Sequence, residues 1–308
     1  MKEGVVIKST GSWFTVRTGN KELVKCRLKG KMRLDKLKST SPVAVGDWVS
    51  YEMDSTDGEG VISKIHTRKN YIIRKATNLS KQTHILASNI DQVVLLITIN
   101  YPVTTAVFID RILASAEAYN IPVLLLFNKV DRYDNQHLQQ LAELREIYEK
   151  IGYQTVSLSA KMQEDIEDIK SLLKDKTTLI TGHSGVGKST LVNRLEPGLN
   201  LKTKDISAIH QTGKHTTTFA EMHPFSFGGY IIDTPGIRGF GLTMIDKGEL
   251  FHFFREIFEI SHKCQFNNCT HIHEPGCAVK LAVENGHIAP SRYNSYNSIF
   301  MNREEKYR

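Results

Sequence analysis

Asn128-Lys129-Val130-Asp131 stands ahead of Gly182-His183-Ser184-Gly185-Val186-Gly187-Lys188-Ser189 in this chain. The first stretch is a guanine-reading tetrad and the second a phosphate loop, and an ordinary G domain carries the two in the opposite order. The fold predicted is therefore α/β, a circularly permuted P-loop GTPase domain. The order decides which segment follows the nucleotide-sensing switches, and here that segment holds a cluster of cysteines and histidines.

Working outward from the phosphate loop, Gly182 to Ser189 matches G-x-x-x-x-G-K-[ST], follows the apolar run Thr178 to Thr181 and precedes the helical stretch Ser189 to Leu195. Strand, loop and helix are the context the motif requires. The amides of Gly182, His183, Ser184, Gly185, Val186 and Gly187 would curl around phosphate oxygens, and Lys188 would reach the β- and γ-phosphates. The Ser189 hydroxyl would ligate magnesium, and Thr190 continues the nucleotide-contacting run. Asp233-Thr234-Pro235-Gly236 closes a further strand, which suits Asp233 to hold magnesium through water and the Gly236 amide to reach a γ-phosphate.

Between these lies Gly213-Lys214-His215-Thr216-Thr217-Thr218 at the end of a long polar approach that reads as a switch. A threonine hydroxyl there would complete the magnesium shell, with Thr217 or Thr216 better placed than Thr218. Many GTPases orient the attacking water with a glutamine directly after Asp-x-x-Gly, but this chain has Ile237. An apolar side chain cannot do that job, so His215, beside the switch threonines, is the expected catalytic replacement. A solvent-exposed loop histidine is the alternative.

Asn128 to Asp131 end the apolar strand Val123 to Phe127. That places the Asp131 carboxylate to accept hydrogen bonds from the guanine ring N–H and exocyclic amine, a pair adenine does not offer. Leaving the carboxylate unpaired beneath a base costs on the order of several kcal/mol, so ATP should be rejected. Ser159-Ala160-Lys161, after the strand Thr155 to Leu158, fits the companion loop that contacts the guanine oxygen.

Cys264-x4-Cys269-x-His271-x5-Cys277 offers three thiolates and an imidazole, a tetrahedral structural zinc set with no open position. His273 is the alternative imidazole, and Pro275-Gly276 supplies the turn that brings Cys277 back. Three of the four cysteines converge here, which reads as metal binding in a reducing compartment rather than a disulfide framework. The remaining Cys26 reads as a strand side chain. Around the cluster the chain is helical and aromatic, with Phe251, Phe253, Phe254, Ile257 and Phe258. This small helical domain, residues 247–308, is expected to need its metal for stability. Metal removal should unfold it while nucleotide binding survives.

The first 68 residues are short β-rich runs (Gly4 to Lys8, Trp13 to Arg17, Leu23 to Leu28, Asp47 to Tyr51, Gly60 to Ile65) punctuated by Gly, Asn, Pro and Asp. Five strands of this size with basic loops suit an OB-fold β-barrel. Residues 1–68 hold 13 Lys/Arg against 8 Asp/Glu, from a chain of net charge +7. Lys25, Arg27, Lys29, Lys31, Arg33, Lys36 and Lys38 supply most of it, consistent with a polyanionic partner or with a solvated loop. Residues 69–246 alternate buried strands with amphipathic helices, as in a mostly parallel sheet covered on both faces. Leu138, Leu141, Leu144, Tyr148 and Ile151 read as one helical core face, and Ile166, Ile169, Leu172 and Leu173 as another. No apolar run approaches the roughly 20 residues that span a bilayer, and no targeting segment is read at the N-terminus. The expected location is the cytoplasm, without membrane association, as a monomer.

The permuted order, Gly213-Lys214-His215-Thr216-Thr217-Thr218 and the run Cys264 to Cys277 followed by Ala278-Val279-Lys280 together resemble one family, the ribosome small-subunit-dependent GTPase A, over essentially the full length. The resemblance implies a cytoplasmic GTPase acting late in 30S subunit maturation, contacting 16S ribosomal RNA near the decoding region and hydrolysing GTP to GDP faster on the subunit. It also implies a zinc ion at Cys264, Cys269, His271 and Cys277, and a hydrolytic role for His215. Two rivals are a GTP-dependent switch with a protein partner, and a structural RNA-binding protein with a vestigial site. The intact Lys188, Ser189, Asp233 and Asp131 argue against the second. Because the segment from Ile237 to Asp246 leads from the γ-phosphate-sensing turn to the zinc domain, bound GTP is expected to reorient that domain.

Overall fold

The computed structural model describes residues 1–29, 42–54, 58–75, 83–199, 220–233 and 246–301, which divide into two compact units. The first comprises residues 1–94, 160–181 and 188–240, and the second residues 95–159, 182–187 and 241–308.

The first unit begins with β1 (Lys2–Ser9), β2 (Phe14–Thr18), β3 (Leu23–Leu28), β4 (Trp48–Met53) and β5 (Gly60–Ile65). They run β1-β2-β3-β5-β4, and β4 pairs again with β1, so the sheet closes into the five-stranded barrel that the spacing predicts. Alternation does the sorting: Val6, Phe14, Val16, Cys26, Val49, Tyr51 and Ile62 point inward and form its core. Cys26 is thus a buried strand side chain, and burial pushes its thiol up to about 11. Two of the basic residues on β3 are already paired, Lys25 with Glu59 at 2.9 Å and Arg27 with Asp54 at 2.7 Å. Lys25 also lies 3.8 Å over the Trp13 ring. Lys31, Arg33, Lys36 and Lys38 lie outside the described residues.

Two strands escape the sequence reading here, β6 (Tyr71–Lys75) and β7 (Thr83–Ser88), which form a separate antiparallel pair. They are tied to the barrel by a buried ion pair. Asp47, fully buried, accepts from Arg68 Nε and Nη2 at 2.6 Å each and from Ser88 Oγ at 2.6 Å. The chain then enters β8 (Gln92–Ile97), whose residues are all buried, and passes into the second unit.

In the second unit α1 (Ala106–Ala118) follows, capped by the Thr105 side chain, then β9 (Val123–Phe127), α2 (Asn135–Lys150) and β10 (Gln154–Ser157). β9 and β10 are parallel neighbours. Leu141 and Tyr148 bury the inner face of α2, whereas Leu138 is 44% exposed, so the predicted core stripe is one residue too long at its start. Beyond Asp134, its N-cap, Asn135, Gln136 and Leu138 of the first turn of α2 are exposed.

Back in the first unit, α3 (Gln163–Leu173) buries Ile166, Ile169 and Leu173 as its spacing predicts. β11 (Thr177–Thr181) pairs in parallel with β13 (Tyr230–Asp233), and β12 (Glu221–Pro224), a further strand missing from the sequence reading, pairs antiparallel with β13 and touches β1. β12 is four residues long and contains His223 and Pro224, so no alternation marks it. α4 (Lys188–Leu195) starts at the end of the phosphate loop.

The chain ends in the second unit with a 3-10 stretch (Lys247–Phe253), α5 (Arg255–Ser261), α6 (Ala278–Glu284) and α7 (Pro290–Phe300). Leu250, Phe254, Ile257, Cys269, Cys277, Val279, Ala282, Ile288, Tyr296 and Ile299 form one core, and Ala114 of α1 belongs to it. Phe258 of the same aromatic stretch is 52% exposed. Under this core lies an ion-pair cluster: Arg292 on α7 donates through Nη1 to Asp110 of α1 at 2.6 Å and through Nε to Glu256 of α5 at 2.6 Å. Tyr148 Oη also donates to Asp110 at 2.8 Å. All four side chains are buried. Burial pulls the Arg292 pKa down, but the charges of Asp110 and Glu256 prevail and hold it well above its ordinary value. No described helix is long and apolar enough to cross a membrane.

Candidate functional site

The guanine tetrad is held by its own backbone. Asn128 N donates to Ile97 O at 2.8 Å, and Val130 N to Leu158 O at 3.3 Å, so the loop hangs between the ends of β8 and β10. Lys129 sits at φ 69°, in the left-handed region, and Val130–Arg132 form a single 3-10 turn. Asn128 is buried, and Asp131 stands exposed beyond it.

The tetrad reaches the phosphate loop directly. Asn128 Nδ2 donates to Val186 O at 2.8 Å, and Lys129 Nζ donates to Gly185 O and to Tyr101 O, both at 2.6 Å. Two loop glycines are required by this closeness. Gly182 (φ 144°) would put a Cβ 2.6 Å from Leu96 O, and Gly187 (φ 104°) would drive one into the Asn128 amide. His183 stacks on Phe108 of α1 with ring centroids 3.7 Å apart. Ser184 and Gly185 are exposed and Val186 is buried. The carbonyls of residues 185 and 186 therefore face the tetrad.

The other predicted residues fall as follows. Lys188 and Ser189 open α4, Ser189 buried and Thr190 exposed. Ser159 is buried beyond β10; Ala160, also buried, and Lys161, exposed, start the run toward α3, and Lys161 O accepts from Arg194 Nη2 at 3.3 Å. Asp233 is the last residue of β13. His215, Thr216, Thr217, Thr218, Gly236 and Ile237 lie outside the described residues.

The metal-type cluster is assembled as the spacing predicts. The ligand atoms of Cys264, Cys269, His271 and Cys277 all lie within 4.8 Å of one another. His271 Nδ1 is 3.5 Å from both Cys264 Sγ and Cys277 Sγ, which are 3.9 Å apart. A tetrahedral ion with bonds of about 2.3 Å to sulfur and 2.0–2.1 Å to nitrogen demands edges of about 3.8 and 3.5 Å. The donor set fits a zinc-type ion. His273 is exposed and outside the cluster, which decides between the two imidazoles. Burial pushes the Cys269 thiol up to about 12 and the Cys277 thiol upward, and pushes His271 down. A bound cation would therefore displace protons from the thiols and meet an imidazole that is already neutral.

Three organising residues escape the sequence reading. Glu274 accepts from Thr270 N at 2.8 Å, Thr270 Oγ1 at 2.6 Å, Ile272 N at 3.1 Å and His273 N at 3.1 Å. Burial would raise its pKa, but these donors prevail and hold it at about 2. Tyr293 Oη donates to His271 O and Tyr296 Oη to Thr270 O, both at 2.7 Å. Together they fix a loop in which His271 itself has φ 63°. A carboxylate three residues past a ligand and two tyrosines on a later helix leave no local sequence signal.

Comparison with known proteins agrees with this architecture. The family model of the RsgA N-terminal domain matches residues 3–62, and that of the RsgA GTPase matches residues 65–243. The small ribosomal subunit biogenesis GTPase RsgA of Bacteroides fragilis (strain YCH46) is 54% identical over 307 residues, covering 99% of each chain. That of Flavobacterium psychrophilum is 52% identical, over 99% of this chain and 94% of its own. Among solved structures, YjeQ from Thermotoga maritima superposes with a TM-score of 0.80 at 38% identity, covering 98% of both chains. YloQ, a circularly permuted GTPase, gives 0.76 at 31% identity over 100% of this chain and 97% of its own. With the tetrad bonded to the phosphate loop and both family models matched in order, this chain belongs to the RsgA family of circularly permuted GTPases.

Proposed function

We propose that the chain binds the 30S ribosomal subunit and its 16S rRNA, assists late maturation of that subunit, and hydrolyses GTP to GDP and phosphate faster when bound to it. The observation that carries the enzymatic half is the direct bonding of Asn128 and Lys129 to the phosphate-loop carbonyls of Val186 and Gly185. Base recognition and phosphate binding then form one unit, so only a guanine nucleotide fills both. The ribosomal half is supported by the relatives, each a GTPase of small ribosomal subunit biogenesis, and by the basic, aromatic-bearing barrel.

In this reading Asp131 accepts from the guanine edge, and the backbone of Ser159, Ala160 and Lys161 lines the base. The amides of residues 182–187 cradle the phosphates, Lys188 offsets their charge and Thr190 borders them. Ser189, Thr217 and Asp233 would hold magnesium, which neutralises charge on the β- and γ-phosphates. The Gly236 amide senses the γ-phosphate, and His215 orients the attacking water or takes its proton. Cys264, Cys269, His271 and Cys277 hold one structural zinc ion. The working division is a barrel of residues 1–68, a GTPase domain of 69–246 and a zinc domain of 247–308, acting as a cytoplasmic monomer.

The test is steady-state turnover of GTP with and without purified 30S subunits, with ATP as control. Stimulation by the subunit and no turnover of ATP are expected. GTP hydrolysis unchanged by the subunit would sink the ribosomal assignment while leaving the GTPase intact.

A further inference from the structure

The side chain of Tyr133 lies two residues beyond the guanine tetrad and turns back on it. Its hydroxyl donates to Asn128 O at 2.8 Å and accepts from Ile99 N at 2.8 Å. It therefore closes a ring around the 3-10 turn Val130–Arg132 that carries Asp131, while gripping the segment that leaves β8. That segment is bonded at each of its next two residues. Asn100 Nδ2 pairs with His137 Nε2 at 2.9 Å, Asn100 Oδ1 accepts from Tyr101 N at 2.9 Å, and Tyr101 O shares the Lys129 ammonium with Gly185 O. A continuous brace thus runs from Tyr133 through residues 99–101 to Lys129 and the phosphate loop. Besides Asn128 and Lys129 of the tetrad and Gly185 of the phosphate loop, it uses Tyr133, Ile99, Asn100, Tyr101 and His137, which lie outside both motifs.

We propose that Tyr133 is a positioning residue for guanine recognition: its hydroxyl sets the tetrad loop on the Ile99–Tyr101 segment, and so fixes Asp131 relative to the phosphate loop. Asn128 is 2% exposed and Ile99 8%, so removing the hydroxyl leaves a shielded carbonyl and a shielded amide each without this partner. The loop can recover those bonds only by moving, and a shift of the tetrad misaligns the carboxylate from the two donors of the base. Phosphate contacts, made by the amides of residues 182–187, should be spared.

The proposal rests on the guanine-binding reading of Asp131, and the test separates the two. In the full chain, Tyr133→Phe is expected to weaken GDP about tenfold, while inorganic tripolyphosphate binds within twofold of the parent. The KM for GTP should carry the loss, with kcat changed far less. In an Asp131→Ala background, where the base contact is already gone, Tyr133→Phe should change GDP affinity less than twofold. If Asp131→Ala itself leaves GDP affinity unchanged, the guanine-binding reading fails. If Asp131→Ala weakens GDP but Tyr133→Phe does not, or weakens tripolyphosphate equally, the brace alone is overturned. Should Tyr133→Phe not fold, hydrogen exchange in the parent decides. Amides of residues 99 and 128 should gain protection with GDP and not with tripolyphosphate; equal protection by both ligands overturns the proposal.

Discussion

Gly187 shows how much of the nucleotide site is decided by single side chains and their absence. A methyl group there meets the Asn128 amide in a backbone conformation already unfavourable to L-residues, so Gly187→Ala should part the tetrad from the phosphate loop. The expected result is GDP binding weakened at least tenfold with the barrel and zinc-type cluster intact, read by titration calorimetry beside circular dichroism. Glu274 is the counterpart in the metal loop. Replacing it with Gln removes the charge that gathers four donors, and zinc affinity should fall by about ten- to a hundredfold in competition with a chromophoric chelator. Its folded pKa of about 2 lies below the ordinary 4.5, so its contribution is complete above pH 4.5 and disappears as the pH falls through 2, where the folded form also takes the proton. In chelated protein, Glu274→Gln should remove that acid-side loss from the pH dependence of urea unfolding; an unchanged slope would show that the carboxylate does not hold the loop.

Among elements, α1 is the one whose importance only its packing reveals. Along one helix it offers Phe108 to His183 of the phosphate loop, Asp110 to Arg292 of α7 and Ala114 to the core around the cysteine–histidine cluster. Breaking a buried ion pair by removing one partner costs about 3–5 kcal/mol, because the remaining charges stay buried. Arg292→Met strands Asp110 and Glu256 and should lower the Tm by roughly 10 °C, whereas replacing all three with apolar residues should recover most of the loss. Differential scanning fluorimetry of the two variants checks this. The same packing bears on the expectation that bound GTP reorients the C-terminal segment. Residues 237–245, the expected link, lie outside the described residues, but α7 is pinned to α1 by a buried bond. Any GTP-driven movement of α5, α6 and α7 should therefore carry α1 with it. Spin labels on exposed positions of α1 and α7 should report the same distance with GDP and with a non-hydrolysable GTP analogue; a change of several ångströms would mean that the buried cluster opens.

At the scale of the whole molecule, the proposed partner is tested by salt. If the basic barrel leads binding to the subunit through several phosphate contacts, affinity should drop about a thousandfold or more between 50 and 200 mM salt. A shallow dependence, measured by co-sedimentation with 30S subunits, would favour a protein-led interface. Most of the architecture was legible beforehand because its signals are local: β9 and β13 have the bounds their apolar runs predict, and the closed barrel follows from five alternating strands. The phosphate loop, the tetrad and the cysteine–histidine cluster were legible for the same reason, since each motif has fixed residue types at fixed spacing. β6, β7 and β12 were not, because their pairing partners rather than their periodicity make them strands. Nor was the exposure of Leu138 and Phe258, which depends on what the rest of the fold leaves uncovered. The sequence by itself determined the nucleotide class and the permutation, and gathered three cysteines and two candidate histidines into one short segment. Only the tertiary structure decided that His271 rather than His273 joins the thiols, that Glu274 gathers their loop, that Arg292 locks α7 to α1 and that Tyr133 braces the tetrad. Those are contacts between residues up to 182 positions apart, and side-chain geometry across such distances is created by packing, which leaves no spacing in the chain to read.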